Sequence, residues 1–118
     1  MNYIASKVAL LAAGALLMAA TSGPALAFDE EAAKALARQN NCFKCHGATK
    51  AKDGPAYHDV AAKYKEKYTD MAQAEQRLYT HLTTGEKAKF PDGHEEEHKI
   101  LKAKEAEIKN LIQWVLSL

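Results

Sequence analysis

The residues with the clearest chemical potential are two cysteines and a histidine within one helical turn. Cys42 and Cys45 are the only cysteines of the chain, and His46 follows the second directly. Two thiols three residues apart can each add to one vinyl group on the same edge of a porphyrin, and the histidine then lies beneath the iron. C-x-x-C-H is the pattern at which haem c is attached. Neutral imidazole suits that position because one nitrogen binds the metal while the other donates a hydrogen bond.

Other uses of the cysteine pair fit the sequence less well. A disulfide between residues so close together would constrain little chain and would be strained. A structural zinc site needs four ligands, usually with a second pair at comparable spacing, and the chain has none. A thioredoxin-type C-x-x-C motif lies in a βαβ context, for which strand signals are lacking. The sequence therefore favours one covalent haem c bound through Cys42, Cys45 and His46.

The first 27 residues have the features of a secretory signal peptide. Lys7 gives a positive start, residues 8–20 form an apolar run, and the sequence A-L-A at 25–27 is a small-x-small cleavage site. The alternative is an uncleaved membrane anchor, but the run is short for a membrane span of about 20 residues. We therefore expect cleavage before Phe28, export to the periplasm, and one mature domain of residues 28–118 that does not span a membrane.

Charge and composition narrow the function classes. The chain has 16 Lys and Arg and 15 Asp and Glu. Because Lys7 is the one charged residue of the signal segment, the mature chain is formally neutral and gives no sign of nucleic-acid binding. A domain this small buries a modest core, to which a covalent haem would add apolar surface. No acid–base constellation lies near the cysteine motif, so we expect a protein that is not an enzyme.

Helical signals recur along the mature chain, whereas strand signals are weak. Asp29 is a suitable N-cap for a first helix that stops at Asn40-Asn41. Pro55 suits the first turn of a second helix, and Gly85 is a suitable C-cap for a third. The apolar stripes of the four predicted helices are, in chain order, Phe28, Ala32, Ala35 and Leu36; Tyr57, Val60, Ala61 and Tyr64; Met71, Ala74, Leu78, Tyr79 and Leu82; and Ile108, Leu111, Ile112 and Val115, with Trp114 and Leu118 alongside.

Two long connections remain, at residues 46–54 and 85–103. Long connections in a small domain usually carry function. Asp92 and Glu95 have capping-box spacing, so the second connection is predicted to be partly helical.

With these features the chain resembles the class I cytochromes c, in particular small bacterial members with one haem. The resemblance covers the whole mature chain, from a first helix running into residues 42–46, through Gly54-Pro55 and residues 57–64, to a last helix closing on residues 114–118. It implies an all-α cytochrome c fold of four or so helices around one covalent haem, with the first and last helices crossed. It also implies that the Pro55 carbonyl accepts a hydrogen bond from the His46 ring, which would strengthen the imidazole as a ligand.

The chain departs from most class I cytochromes at the other face of the iron. Those proteins place a methionine in the loop before the last helix, but residues 87–99 contain none. Met71 belongs to the third apolar stripe, where we interpret it as core. In small bacterial members the ligand lies roughly sixteen residues before the closing tryptophan, which from Trp114 reaches His98. We therefore expect His98 to be the second iron ligand, with His94, Met71, His58, His81 or an open site as alternatives.

Residues 94–98 also match H-E-x-x-H, the zinc peptidase pattern, in which two histidines on one helical face bind the metal and a glutamate is the general base. We regard this as the weaker interpretation. The segment is acidic on every face, a third ligand is missing, and so small a domain has no room for a substrate cleft beside a haem.

These features predict an exported protein that carries single electrons between redox partner proteins. The alternative is a haem protein that binds or senses a small gas through a labile distal ligand. Lysines near the haem motif would form a basic rim that orients an acidic redox partner. They are Lys44, Lys50, Lys52, Lys63, Lys65 and Lys67. The sequence identifies neither the partners nor the oligomeric state.

Overall fold

The structure is a computed structural model that describes residues 28–118. Within that range it has five α-helices and one two-stranded hairpin: α1 (Glu30–Gln39), α2 (Cys42–Cys45), α3 (Tyr57–Lys67), α4 (Met71–Thr84), β1 (Lys87–Lys89), β2 (Glu95–Glu97) and α5 (Glu105–Ser117). The predicted helical fold is confirmed, with the small hairpin added. The predicted signal segment lies outside the described residues. None of the helices in residues 28–118 is long and apolar enough to cross a membrane.

Local sequence sets the ends of the helices. The Asp29 side chain caps α1 by accepting a hydrogen bond from the Ala32 N–H at 3.0 Å. α4 ends at Gly85, whose φ of 68° lies in the left-handed region that favours glycine. Both boundaries agree with the prediction. Pro55 lies two residues before the start of α3 instead of within its first turn.

The core forms where α5 packs against α1, α3 and α4. α5 buries Ile108, Leu111, Ile112, Trp114, Val115 and Leu116. Asn110 joins α5 to the start of α1, because its side-chain oxygen accepts from the Asp29 N–H at 2.7 Å and its amide donates to the Asp29 carbonyl at 2.8 Å. The predicted packing of the first helix on the last is therefore present.

The face of α1 that meets the core differs from the prediction. Ala33 and Ala37 are fully buried, whereas Ala32 is exposed and Ala35 is half-buried. The predicted apolar stripe of this helix, which includes Ala32 and Ala35, is therefore not the face that is most deeply buried. Alanines occur on both sides of this helix, so hydrophobicity alone does not distinguish the two faces, and packing against α5 decides between them.

Met71 is also placed differently from the prediction. Its side chain is 38% exposed at the first residue of α4, so the interpretation as a core residue is wrong. The buried residues of α4 are Ala74 and Leu78. The apolar stripe thus becomes buried only one turn into the helix.

The connection between α4 and α5, predicted to be partly helical, contains the β-hairpin instead. β1 and β2 pair antiparallel, with Lys87 opposite Glu97 and Lys89 opposite Glu95. Opposite charges directly across two strands favour their pairing. Gly93, with a φ of 93°, allows the tight turn between the strands. These cross-strand pairs and the turn outweigh the capping-box spacing on which the helical prediction depended.

Trp114→Ala should lower the free energy of unfolding by about 3–5 kcal/mol. The indole is 2% exposed and meets the rings of Phe43 and Tyr57 edge to face, with centroids 6.1 and 5.8 Å away. Its removal leaves a cavity between α5, α2 and α3. Denaturant unfolding measures the effect, and Gln113→Ala, on the less buried side of α5, should cost less than about 1 kcal/mol. Equal costs for the two variants would show that Trp114 does not fill the core.

Candidate functional site

The two cysteines lie on α2, a helix of a single turn. The chain enters it through Asn41, whose φ of 57° lies in the left-handed region that asparagine tolerates better than most residues. Cys42 and Cys45 are both half-buried free thiols. Burial raises the pKa of the Cys42 thiol, and a hydrogen bond from Tyr57 opposes that effect. The helical turn places both thiols on one side, as attachment to one porphyrin edge requires.

The His46 ring is held on three sides. Its Nδ1 lies 2.7 Å from the Pro55 carbonyl, and because a carbonyl only accepts, Nδ1 carries the proton and Nε2 is the nitrogen available to a metal. The Tyr57 ring stacks on the imidazole with centroids 5.0 Å apart. Gly54 lies against the ring edge, where an added Cβ would be 2.5 Å from Cε1. A glycine at position 54 is therefore required for this approach of the imidazole.

The loop that carries Gly54 and Pro55 is bonded back onto α2. The Gly54 N–H donates to the Cys45 carbonyl at 2.8 Å. The Lys52 ammonium donates to the Phe43 carbonyl at 2.7 Å. These bonds place the Pro55 carbonyl beside the His46 ring, where the resemblance implied that it would be.

His98 faces His46 across the site. The two ring centroids are 6.2 Å apart, and the His98 side chain is half-buried. The His98 Nδ1 lies 3.0 Å from the Lys99 carbonyl, so this nitrogen donates and Nε2 again is the one available to a metal. An imidazole nitrogen binds a metal at about 2 Å, so rings on opposite sides of one ion have centroids about 6 Å apart. The observed separation fits a pair of axial ligands.

The backbone at His98 and Leu101 is anchored to the last turn of α4 and to the residues that directly follow this helix. The His98 N–H donates to the Glu86 carbonyl, and the N–H of the buried Leu101 donates to the Leu82 carbonyl, both at 2.8 Å. Burial lowers the pKa of His98, as do the nearby His81 and His46, while the hydrogen bond to the Lys99 carbonyl raises it. The net lowering favours the neutral form of the ring, which is the form that binds metals.

His81, one of the alternative ligands named in the sequence analysis, lies beside His98. Its ring is half-buried, and the ring centroid lies 4.7 Å from that of His98. Its Nδ1 lies 3.1 Å from the Glu86 carboxylate, which also accepts two 2.8 Å hydrogen bonds from Arg77. Arg77 and His81 lower the pKa of Glu86. The available signal was the position of His81 in the last turn before Gly85, where the chain reverses toward His98.

The other candidate ligands lie away from this pair. His94 is exposed at the hairpin turn, where its ring nitrogens contact the carboxylates of Asp92 and Glu96. The hydrogen bond with Asp92 raises the pKa of His94. His58 is exposed on α3. Because β2 is an exposed strand, and because residues 28–118 contain no group of three or more His, Cys, Asp or Glu placed to hold a metal ion, the zinc peptidase interpretation is wrong.

His94→Ala should leave the absorption spectrum of the haem-loaded protein unchanged. Both nitrogens of this imidazole are engaged by carboxylates of the hairpin, so its loss removes no group from the His46–His98 pair. Oxidised and reduced spectra of the variant and the parent protein provide the measurement. A high-spin spectrum in His94→Ala would show that the second ligand lies four residues earlier than we infer.

A cleft of about 300 Å³ opens between the His46-supporting loop and the hairpin, lined by residues 51–55 and 89–91. Its walls include Pro55, Phe90 and Pro91, which offer apolar contact to a flat, largely apolar ring. The paired cysteines and the two imidazoles with available Nε2 atoms fit a covalently attached haem.

Comparisons with known proteins also indicate a protein that binds haem covalently. The family model for cytochrome c matches residues 30–118. Cytochrome c-551 of Allochromatium vinosum is 34% identical over 89 residues, which is 70% of this chain and 82% of that protein. The crystal structure of Class 1 cytochrome MtoD from Sideroxydans lithotrophicus ES-1 is similar at 61% identity, covering 77% of this chain and 97% of that chain, with a TM-score of 0.69. Wild-type Nitrosomonas europaea cytochrome c552 is 28% identical, covering 71% and 96%, with a TM-score of 0.57.

The family match extends over nearly all of the described chain, and Cys42 and Cys45 have the spacing at which its members bind their cofactor. This chain therefore belongs to the cytochrome c family, has the class I cytochrome c fold and carries covalently bound haem c.

Proposed function

We propose that this chain is an exported carrier of single electrons, not an enzyme, that holds one haem c with His46 and His98 as its two iron ligands. Membership of the cytochrome c family supports the general function of haem-based electron transfer. The finer proposal depends on one observation, the 6.2 Å separation of the His46 and His98 rings.

Each residue of the site would have a distinct part. Cys42 and Cys45 would provide the two thioether bonds, and the bound haem supplies an iron that gains and loses one electron. His46 would be the proximal ligand, and its hydrogen bond to Pro55 makes the imidazole a stronger donor. His98 would fill the opposite position and exclude external ligands.

The surroundings of both imidazoles suit a carrier whose geometry changes little between redox states. Pro55, Gly54 and Tyr57 fix the His46 ring, while Glu86 and Lys99 fix the backbone and ring of His98. Ligands held in this way need little rearrangement when the charge of the iron changes.

A basic rim supports the proposal of a protein partner. Lys44 is exposed between the two cysteines, and Lys52 and Lys89 line the cleft beside the site. Positive charges at the edge through which electrons pass would orient a redox partner with an acidic surface. Export to the periplasm is proposed from the signal-like residues 1–27 alone.

Optical spectra with and without carbon monoxide test the electron-carrier proposal against gas binding. We expect the reduced protein to be low-spin and to keep its spectrum when the gas is added, because His98 occupies the sixth position. Rapid formation of a carbon monoxide adduct would favour the gas-binding alternative, for which the comparisons give no support. Acid-acetone extraction should leave the haem on the protein, and the intact mass should exceed the polypeptide by one haem.

The mature protein should begin at Phe28, because the A-L-A sequence at 25–27 presents small residues to signal peptidase. The intact mass of protein exported by a bacterium with a haem-attachment system measures this start. Ala27→Phe should block cleavage, while Ser22→Ala, outside the small-x-small site, should not. A start at Met1 in the parent protein would indicate a retained anchor and would contradict the proposal of a free periplasmic carrier.

A further inference from the structure

We propose that Lys99 is a positioning residue that holds His98 against the haem. It does so by joining the distal loop, which is residues 98–103, to the end of α1. This inference rests on the proposed role of His98 as the second iron ligand. Lys99 itself is not a proposed ligand, but it contacts both His98 and Asn40.

Lys99 contacts both sides of the site at once. Its ammonium donates a hydrogen bond to the Asn40 carbonyl at 2.9 Å, across 59 residues of sequence. Asn40 is the C-cap of α1 and lies two residues before Cys42. The backbone carbonyl of Lys99 accepts the Nδ1 proton of His98 at 3.0 Å. One residue therefore joins the distal imidazole to the chain segment that leads into the haem-attachment helix.

The Asn40 carbonyl is a favourable acceptor for a cation. The last carbonyl groups of a helix lack intrahelical partners and carry the negative end of the helix dipole. A lysine ammonium at this position satisfies one such carbonyl and interacts well with the dipole. The contact is thus specific to a charged donor, and an arginine is the replacement that would best preserve it.

The other anchors of the loop lie on the side of α4. The hydrogen bonds of His98 and Leu101 to Glu86 and Leu82 hold the backbone there, and the His81 ring packs beside His98. None of these contacts joins the loop to α1, and the Lys99 ammonium provides that link through the Asn40 carbonyl. Without its ammonium the loop can open away from His46 about the α4 anchors, which would let the His98 imidazole leave the iron more often.

The rate of cyanide binding to the oxidised haem-loaded protein measures how often His98 leaves. The probe is added as hydrogen cyanide at neutral pH, where it is largely uncharged, so the lost lysine charge has little direct effect. Lys99→Ala should raise this rate about threefold to tenfold, since a hydrogen bond from a charged group is lost at an exposed position. Lys99→Arg should stay within about twofold of the parent protein. Lys102→Ala, an exposed lysine of the same segment, is the matched control and should not change the rate.

The outcomes separate this inference from the proposed function. If His98→Ala binds cyanide rapidly but Lys99→Ala binds it at the parental rate, Lys99 does not position the ligand, while the role of His98 stands. If Lys102→Ala accelerates binding equally, or if Lys99→Arg fails to restore the parental rate, the effect is general loosening and the inference is overturned. If the parent protein and His98→Ala bind cyanide equally fast, His98 is not a ligand and both proposals fail. Because Lys99 is exposed, its replacement leaves the buried core intact.

Discussion

We expect His98→Ala to convert a low-spin protein that does not bind carbon monoxide into one that binds the gas rapidly. Removing the imidazole leaves the sixth position of the iron without a protein ligand. The reduced spectrum under carbon monoxide provides the measurement. The matched control, His58→Ala, removes an exposed histidine of α3 and should behave as the parent protein.

His98→Met gives the same prediction a second and independent measurement. A thioether is a weaker donor to ferric iron than imidazole, so the reduction potential should rise, within the span of about 0.8 V that axial ligands control. The oxidised variant should also gain the near-infrared band that sulfur ligation gives. If the unmutated protein already shows that band, Met71 is the ligand and the assignment of His98 is wrong. If His81→Ala opens the iron while His98→Ala does not, the ligand is the neighbouring histidine of α4.

The parts of the fold that the sequence predicted correctly are those with local causes. Asp29 and Gly85 act through hydrogen bonds and backbone angles within one helical turn, so their types alone indicate a helix boundary. The stripes of α3 and α5 contain large apolar side chains on one face only, which leaves one way to bury them. The face of α1 was missed because alanines lie on both of its sides. The hairpin was missed because Lys87 and Lys89 come to lie opposite Glu97 and Glu95 only once the two strands are side by side.

The residues of the candidate site also differ in how far the sequence could predict them. Cys42, Cys45 and His46 are adjacent in sequence, so their joint chemistry follows from spacing. His98 was reached only by counting back from Trp114 in a family pattern. The contacts of His81 and Lys99 are with His98 and Asn40, which are far away in sequence, so residue spacing does not reveal these contacts. Such residues become visible only when the fold brings their partners together.

Replacing both cysteines, as Cys42→Ala with Cys45→Ala, should abolish covalent haem attachment. Each thioether requires a thiol, and the chain has no other cysteine. Haem staining after denaturing electrophoresis and the intact mass measure the loss. Lys44→Ala, the exposed position between the cysteines, is the matched control and should retain the haem. A double variant that keeps its haem under denaturing conditions would contradict attachment through these thiols.

The same double variant should also show which part of the fold depends on the cofactor. The α1–α5 contact is built from Ala33 and Ala37 against the apolar face of α5, with the paired Asn110–Asp29 hydrogen bonds at its end, and it uses no residue of the site. We therefore expect amide hydrogen exchange to stay slow in these two helices. Exchange should rise in residues 46–56 and 85–103, which carry the two imidazoles that we propose as ligands of one iron. Equal loss of protection throughout the chain would show that the helix pair does not persist without covalent haem.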